Sequence, residues 1–120
     1  MKPLDERLPE ALRDALTVMV RDGPWDLSAR HLAVLLICHL DEPPHTVHSL
    51  ALRLHIPRTA AARAIERLEQ LGLVRRAGLK PYRRGVPTEG TEAGRALVQA
   101  LSATMLAATS STTSAPSPLR

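Results

Sequence analysis

The sequence PRTAAARAIERLEQLGLVRR, residues 57–76, carries most of the information on how this chain folds. Its apolar positions recur every three or four residues, which predicts the buried face of a helix that begins at Pro57 or Arg58. Those inward positions are Ala61, Ile65, Leu68 and Leu71. Gly72 is typical of the residue that follows a helix, so the helix is expected to end at about Leu71.

The segments on either side of this helix predict a helix-turn-helix followed by a hairpin. Thr46 is expected to cap a short helix over 47–54, and His55-Ile56 forms a tight connection to the next helix. After Gly72, residues 73–77 read as a short strand, and 83–86 as a strand that returns beside it. Two short helices joined by a tight turn, the second with arginines on its outer face, match a DNA-reading motif.

Three further helices complete the prediction. Pro9 is expected in the first turn of a helix that ends near Asp22, with an inward stripe at Leu8, Leu12, Leu16 and Met19 or Val20. A second helix over 29–41 is capped by Ser28, and a last helix covers 92–108. The fold class is therefore mainly α (α+β), with about five helices and one small β-hairpin. The Ser/Thr/Pro-rich tail over 109–120 is expected to be disordered.

The positive charge is confined to one part of the chain. Residues 51–88 hold nine basic groups against two acids, whereas residues 1–50 hold five basic groups against eight acids. Eight of the nine are arginines, whose planar fork suits phosphate oxygens and guanine edges. Tyr82 is the one aromatic residue in this segment, so stacking on single strands is disfavoured and duplex DNA is the favoured partner.

Composition argues against several other classes of protein. The absence of Phe, with one Trp and one Tyr, predicts an aliphatic core, and one Cys forms no internal disulfide. The longest apolar run, residues 32–38, is far shorter than the ~18–20 residues that cross a bilayer, and the N-terminus resembles no signal peptide. No phosphate loop, nucleophile elbow or zinc helix occurs. A cytoplasmic non-enzyme that uses no cofactor and binds no membrane is expected.

Histidine and cysteine leave one alternative open. The five histidines are His31, His39, His45, His48 and His55. Cys38, His39, His45 and His48 have the residue types of a metal site, but Pro43-Pro44 separates the two pairs, so ordinary surface or cap positions are favoured and no metal is predicted. Cys38 lies in the most apolar helix, which favours a buried thiol over a redox sensor.

Four stretches of this sequence resemble the MarR-type transcriptional regulators of bacteria. They are LSARHLAVL at 27–35, HTVHSLA at 45–51, RAIERLEQLGLVRR at 63–76 and TEAGR at 91–95. The resemblance implies a winged helix-turn-helix domain over 1–108, with the helix-turn-helix at about 46–72 and the wing at about 73–87. The sequence departs from the family at Ala62, where Ser or Thr is common, and at Tyr82, where Asp usually precedes the wing arginines.

The resemblance also implies a function. It predicts a sequence-specific regulator of transcription, a repressor, that binds double-stranded DNA as a homodimer, with helix 58–71 in the major groove and the wing on the backbone or minor groove. Arg63 matches the family's contact position on the recognition helix. The full set of candidate DNA-binding residues is Arg58, Thr59, Ala62, Arg63, Arg67, Arg83, Arg84, Thr46, His48 and Lys80. A small-molecule effector is compatible with the resemblance, but no sequence feature supports one. The alternative function is a winged-helix adaptor that docks an acidic protein.

Overall fold

A computed structural model describes residues 2–23, 26–77 and 85–110 of the chain. It divides into two compact units. The helix-turn-helix unit comprises Leu27–Val98, and the terminal unit comprises Met1–Asp26 with Gln99–Arg120. The elements run in the order α1 (Leu4–Asp22), α2 (Ala29–Leu40), α3 (Val47–Leu54), α4 (Arg58–Gln70), β1 (Val74–Arg76), β2 (Thr88–Gly90) and α5 (Glu92–Thr109).

Helices α2 and α3 begin at side-chain caps, as predicted. Ser28 Oγ accepts the His31 N–H at the start of α2, and Thr46 Oγ1 accepts the Ser49 N–H at the start of α3. In each case the third helical residue bonds back to the capping residue's N–H, which forms a reciprocal capping box. These caps fix the first residues of α2 and α3 at the predicted positions.

Two left-handed residues end α3 and α4. His55, with φ of 57°, lets the Ile56 N–H reach the Ala51 carbonyl at 3.1 Å, which closes α3 and redirects the chain within one turn. Gly72, with φ of 77°, does the same after α4, where the Leu73 N–H donates to the Leu68 carbonyl at 2.9 Å. The helix-turn-helix therefore follows from local hydrogen bonding at both ends of α4.

The hairpin differs from its prediction. Strand β1 pairs antiparallel with β2, with Val74 opposite Gly90 and Arg75 opposite Glu89. The strand that pairs with β1 lies at Thr88–Gly90 rather than at the expected 83–86, of which residues 83 and 84 lie outside the described residues. Two contacts set this later register. Arg75 pairs with Glu89, and the Thr88 N–H donates to the carbonyl of His45 in the α2–α3 connection at 2.6 Å.

The core of the helix-turn-helix unit is aliphatic, as predicted. The largest fully buried side chains come from α2, α3, α4 and the segment that follows: Leu35, Leu50, Ile65, Leu68, Leu73, Val34 and Val74. Helix α4 contacts α2, α3 and β1. This packing holds α4 on one side and leaves its other side exposed.

The start of α5 packs closely against α2 and β1. Thr91 caps α5, since its Oγ1 accepts the Gly94 N–H at 3.1 Å. The His39 ring lies against Gly90 and Gly94, and its Nε2 donates to the Leu73 carbonyl at 3.3 Å. A Cβ at Gly94 would lie 2.2 Å from that carbonyl oxygen, so glycine is required there by space rather than by a turn.

Helix α1 departs from its prediction in two ways. It begins at Leu4, and Pro9 lies inside it rather than in the first turn. Its buried residues are Ala11, Ala15 and Met19, whereas Leu8 and Leu12 of the predicted inward stripe are about half exposed. The leucine row and the alanine row both have helical spacing. The row that contains the alanines is the one that the terminal unit buries. Within that unit, Arg7 donates to the carbonyl of Thr109 near the end of α5.

Among the residues that the structure describes, five helices and one two-stranded antiparallel hairpin form the arrangement of a winged helix-turn-helix, which confirms the predicted fold class. In the part of the chain that the structure describes, every helix is too short or too polar to cross a membrane. The predicted disordered tail lies outside the described residues apart from Thr109 and Ser110. The predicted limits of the domain remain a prediction.

Candidate nucleic-acid interface

The outer face of α4 presents three arginines and a hydroxyl to solvent. Arg58, Thr59, Arg63 and Arg67 are all exposed, while Ala62 between them is half-buried. The opposite face is closed, since Ala61, Ile65 and Leu68 have no exposed surface. Because residues 59, 63 and 67 are four apart, their side chains occupy one stripe along the helix.

The arginines of α4 differ from Arg53, Arg75 and Arg76 by having no acidic partner among the described residues. Arg53 pairs with Asp41, and Arg75 pairs with Glu89 at 2.6 Å. Arg76 lies 3.7 Å from Glu69. In contrast, neither Arg63 nor Arg67 forms an ion pair with a residue that the structure describes. Arg63 and Arg67 therefore keep their charges free of an ion pair with the described residues.

Arg58, the first residue of α4, has a histidine partner. Its Nη2 lies 2.8 Å from Nδ1 of His48 on α3. This bond joins two candidate residues from consecutive helices. Thr46, a third candidate, immediately precedes α3. It is buried, with 4% exposure, and its hydroxyl caps α3. The structure therefore brings His48 and Arg58 together and directs Thr46 inward.

Arg30 of α2 is a further exposed arginine, one that sequence reasoning did not select. Burial, with the positive charges of Arg67 and Arg30 nearby, lowers the pKa of His31 below its ordinary 6.5. Arg67 of α4 and Arg30 of α2 therefore both lie near one imidazole, and Arg30 is exposed. The sequence signal for Arg30 was weak, because it stands in the acidic half of the chain.

The remaining candidates lie on the hairpin. Lys80, Arg83 and Arg84 fall within 78–84, outside the residues that the structure describes. Strand β1 ends at Arg76, two residues before this segment, and β1 contacts α4.

The histidines and the cysteine have local structural roles. His31 belongs to the cap of α2, and His45 Nε2 donates to the Asp41 carbonyl at 3.1 Å. Across residues 2–23, 26–77 and 85–110, no cluster of three His, Cys, Asp or Glu side chains has the arrangement of a metal site. Cys38 is buried as predicted, and burial raises its pKa to about 11, so the thiol is protonated and weakly reactive at neutral pH.

A shallow pocket of about 370 Å³ lies beside the start of α5. It is lined by Cys38, His39, Arg75, Gly90, Thr91, Glu92 and Arg95. Its two arginines are offset by Glu92 and by Glu89, the ion-pair partner of Arg75. The pocket therefore has no strong preference for a charged ligand.

Comparison with known proteins agrees with this geometry. A family model described as the MarR family matches residues 25–85, which include α2 to α4 and β1. No curated protein matches the sequence. Many solved structures resemble the fold.

Three of these structures share between 17% and 27% of their sequence with this chain. A structure of MarR is 27% identical, with a TM-score of 0.62 over 89% of this chain and 78% of that one. A MarR-family transcriptional regulator from Rhodococcus sp. RHA1 is 25% identical, with a TM-score of 0.61 over 88% and 71% of the two chains. Transcriptional regulator Tm0710 from Thermotoga maritima shares the fold at 17% identity, with a TM-score of 0.70 over 86% and 70%. The chain belongs to the MarR family of winged helix-turn-helix transcriptional regulators.

Proposed function

We propose that this protein is a sequence-specific regulator of transcription that binds double-stranded DNA with α4 in the major groove. The observation that carries the proposal is the exposed stripe of α4, in which Arg63 and Arg67 have no acidic partner among the described residues. Membership of a family of regulators supports the same function.

The dimensions and side chains of α4 suit a major groove. Its 13 residues span about 20 Å at ~1.5 Å per residue, and the groove is about 12 Å wide. Ala60 and Ala62 on the flanks of the stripe are small enough to let the helix approach the bases closely. Pro57 has no side-chain oxygen to cap the first turn, so the helix N-terminus offers its N–H groups and positive dipole to a phosphate.

The proposed contacts divide into two groups. Arg63 and Thr59, near the middle of the stripe, face the base edges, where an arginine fork recognises guanine O6 and N7. Arg67 and the neighbouring Arg30 contact phosphates, which position the helix without reading sequence. The hairpin residues Lys80, Arg83 and Arg84 contact the backbone or the minor groove beside α4. Ala62 contributes a close apolar contact.

The terminal unit supplies the proposed dimer contact. Leu4, Leu8 and Leu12 lie on one row of α1 and are each about half exposed, and Leu106 of α5 is also exposed. A row of exposed leucines is typical of a face that a partner covers. Two copies joined there would place their α4 helices in half-sites ~34–36 Å apart. Such a dimer covers the DNA between its half-sites, so we propose repression by occlusion, in the cytoplasm where that DNA lies.

Light scattering tests the dimer. At micromolar concentration the chain is expected to have twice its sequence mass of 13.1 kDa, and the variant Leu8→Glu with Leu12→Glu is expected to have the single mass. A wild-type protein with the single mass would contradict the dimer.

A salt titration tests DNA binding. The affinity for a duplex selected from a random pool should fall with a log–log slope near −0.9 for each phosphate contacted, because bound counterions are released. Arg13→Ala, which removes an exposed arginine paired with Asp14 on α1, is the charge-matched control and should leave the slope unchanged. No duplex binding at low salt, together with binding to an acidic protein, would support the adaptor function instead.

A further inference from the structure

The hydrogen bond between His48 and Arg58 determines which ring nitrogen of the neutral imidazole carries the proton. A guanidinium carries only donors and stays charged at all ordinary pH values, so Arg58 Nη2 must donate and His48 Nδ1 must accept across their 2.8 Å. The neutral ring then carries its proton on Nε2. His48 therefore offers Arg58 a lone pair in a fixed direction.

This bond sets Arg58 apart from the other arginines of the stripe. An exposed arginine ordinarily samples many rotamers, and it loses that freedom when it binds a base or a phosphate. Arg63 and Arg67 have no hydrogen-bond partner among the side chains that the structure describes, whereas Arg58 is already held at the first position of α4. Its remaining N–H groups stay available for DNA.

His48 also links the two helices of the motif at the point where they meet DNA. It is the second residue of α3, and it is half-buried, whereas Arg58 is exposed. The α3–α4 turn is closed by its own backbone bonds at His55 and Ile56, so the pair is not needed to hold the turn. The bond between the side chains therefore orients Arg58 and adds little to the fold.

We propose that His48 is a positioning residue that acts on DNA through Arg58. By holding the guanidinium before binding, His48 raises the preference for the cognate sequence over other duplexes, rather than contributing an independent contact of its own. The proposal rests on the proposed function and deepens it.

A double-mutant cycle tests this dependence. The affinity ratio between a duplex selected by the wild-type protein and a scrambled duplex of the same composition is measured at one salt concentration. We expect His48→Ala to lower the ratio about 2- to 10-fold, the range of one hydrogen bond. Arg58→Ala is expected to lower it at least as much, and the double variant is expected to equal Arg58→Ala alone.

Two amide variants of different length show whether the position of the acceptor atom causes the effect of His48. Asn at position 48 places its side-chain oxygen the same number of bonds from Cα as Nδ1, so His48→Asn should restore the ratio to within about 2-fold of wild type. Gln places its oxygen one bond further, so His48→Gln should behave like His48→Ala. Both variants keep a neutral polar side chain on α3, so they remain informative if His48→Ala fails to fold.

The outcomes separate the two proposals. If wild-type protein binds both duplexes but the effects of His48→Ala and Arg58→Ala add, or His48→Gln matches His48→Asn, the positioning role is wrong and DNA binding stands. If wild-type protein binds neither duplex at low salt, the proposed function fails and the positioning role fails with it. A nitrogen NMR spectrum that shows the His48 proton on Nδ1 would also overturn the positioning role.

Discussion

Helices α1 and α4 expose different kinds of side chain beside their buried rows. In α4 the large apolar residues Ile65 and Leu68 are fully buried, and the exposed stripe is charged. In α1 the buried row contains two alanines, and the exposed row contains leucines. A helix whose apolar row is covered by its own domain shows a polar outside, whereas α1 still has an apolar row that only another surface can cover. This difference supports the partners proposed for the two helices, DNA for α4 and a second copy of the chain for α1.

The sharpest test of this contrast is truncation of one leucine from each helix. Leu68→Ala leaves a cavity in the core and should lower the free energy of unfolding by about 2–5 kcal/mol at every protein concentration. Leu12→Ala removes a half-exposed side chain, so its effect should be small in the monomer and grow with concentration as the dimer forms. Thermal melts over a hundredfold concentration range measure both. A Leu12→Ala effect as large as that of Leu68→Ala and independent of concentration would remove the contrast.

Close packing in the helix-turn-helix unit is tested at glycine. A Cβ at Gly94 would lie 2.2 Å from the backbone oxygen of Leu73 and 2.3 Å from His39 Nε2, so Gly94→Ala should cost about 1–3 kcal/mol of stability. Gly72 is the matched control, because a Cβ there meets no atom within 4 Å and only its φ of 77° is unfavourable. Gly72→Ala should therefore cost about 1 kcal/mol. Denaturant unfolding decides the order, and equal losses would contradict the crowding at Gly94.

The charged outside of α4 is tested by binding. Arg63→Ala should cost about 1–3 kcal/mol of affinity for a selected duplex and relax its sequence preference, because a base contact is lost. Arg13→Ala on α1 removes the same charge and should change neither quantity. Equal loss of affinity for selected and random duplexes would make Arg63 a phosphate contact instead.

The smallest expected effect is on the pH dependence of stability, and it comes from His31, whose pKa is lowered in part by Arg67 of α4. Burial and the two arginines lower its pKa in the folded state, so the unfolded chain binds the proton more tightly. The folded state is therefore at full stability above a pH of about 6.5, where His31 is neutral in both states. It loses stability as the pH falls from there through the lower pKa of His31 in the folded protein. His31→Asn keeps an oxygen for the cap of α2 and removes the titration. Its melting temperature should therefore decrease less than that of wild type between pH 7.5 and 5.5, and an equal decrease would contradict this assignment.

The success of the sequence predictions follows the same division. For α2 and α3 the capping residue and the apolar spacing agree, and for α4 the apolar spacing and the glycine that follows agree. The structure confirms the boundaries of these helices within about one residue. For α1, two rows of residues have helical spacing, and the sequence does not say which row the chain covers. The sequence did not predict the hairpin register, because that register depends on the pairing of Arg75 with Glu89 and of His45 with Thr88, residues far apart along the chain.

By itself, the sequence determined the helix-turn-helix, its Arg-bearing outer stripe and the excess of positive charge, because caps, spacing and composition act over a few residues. Only the tertiary structure decided which arginines keep their charge unpaired, since Asp41, Glu69 and Glu89 reach Arg53, Arg76 and Arg75 from other elements. It also decided that His48 holds Arg58, because this contact depends on how consecutive helices meet in space.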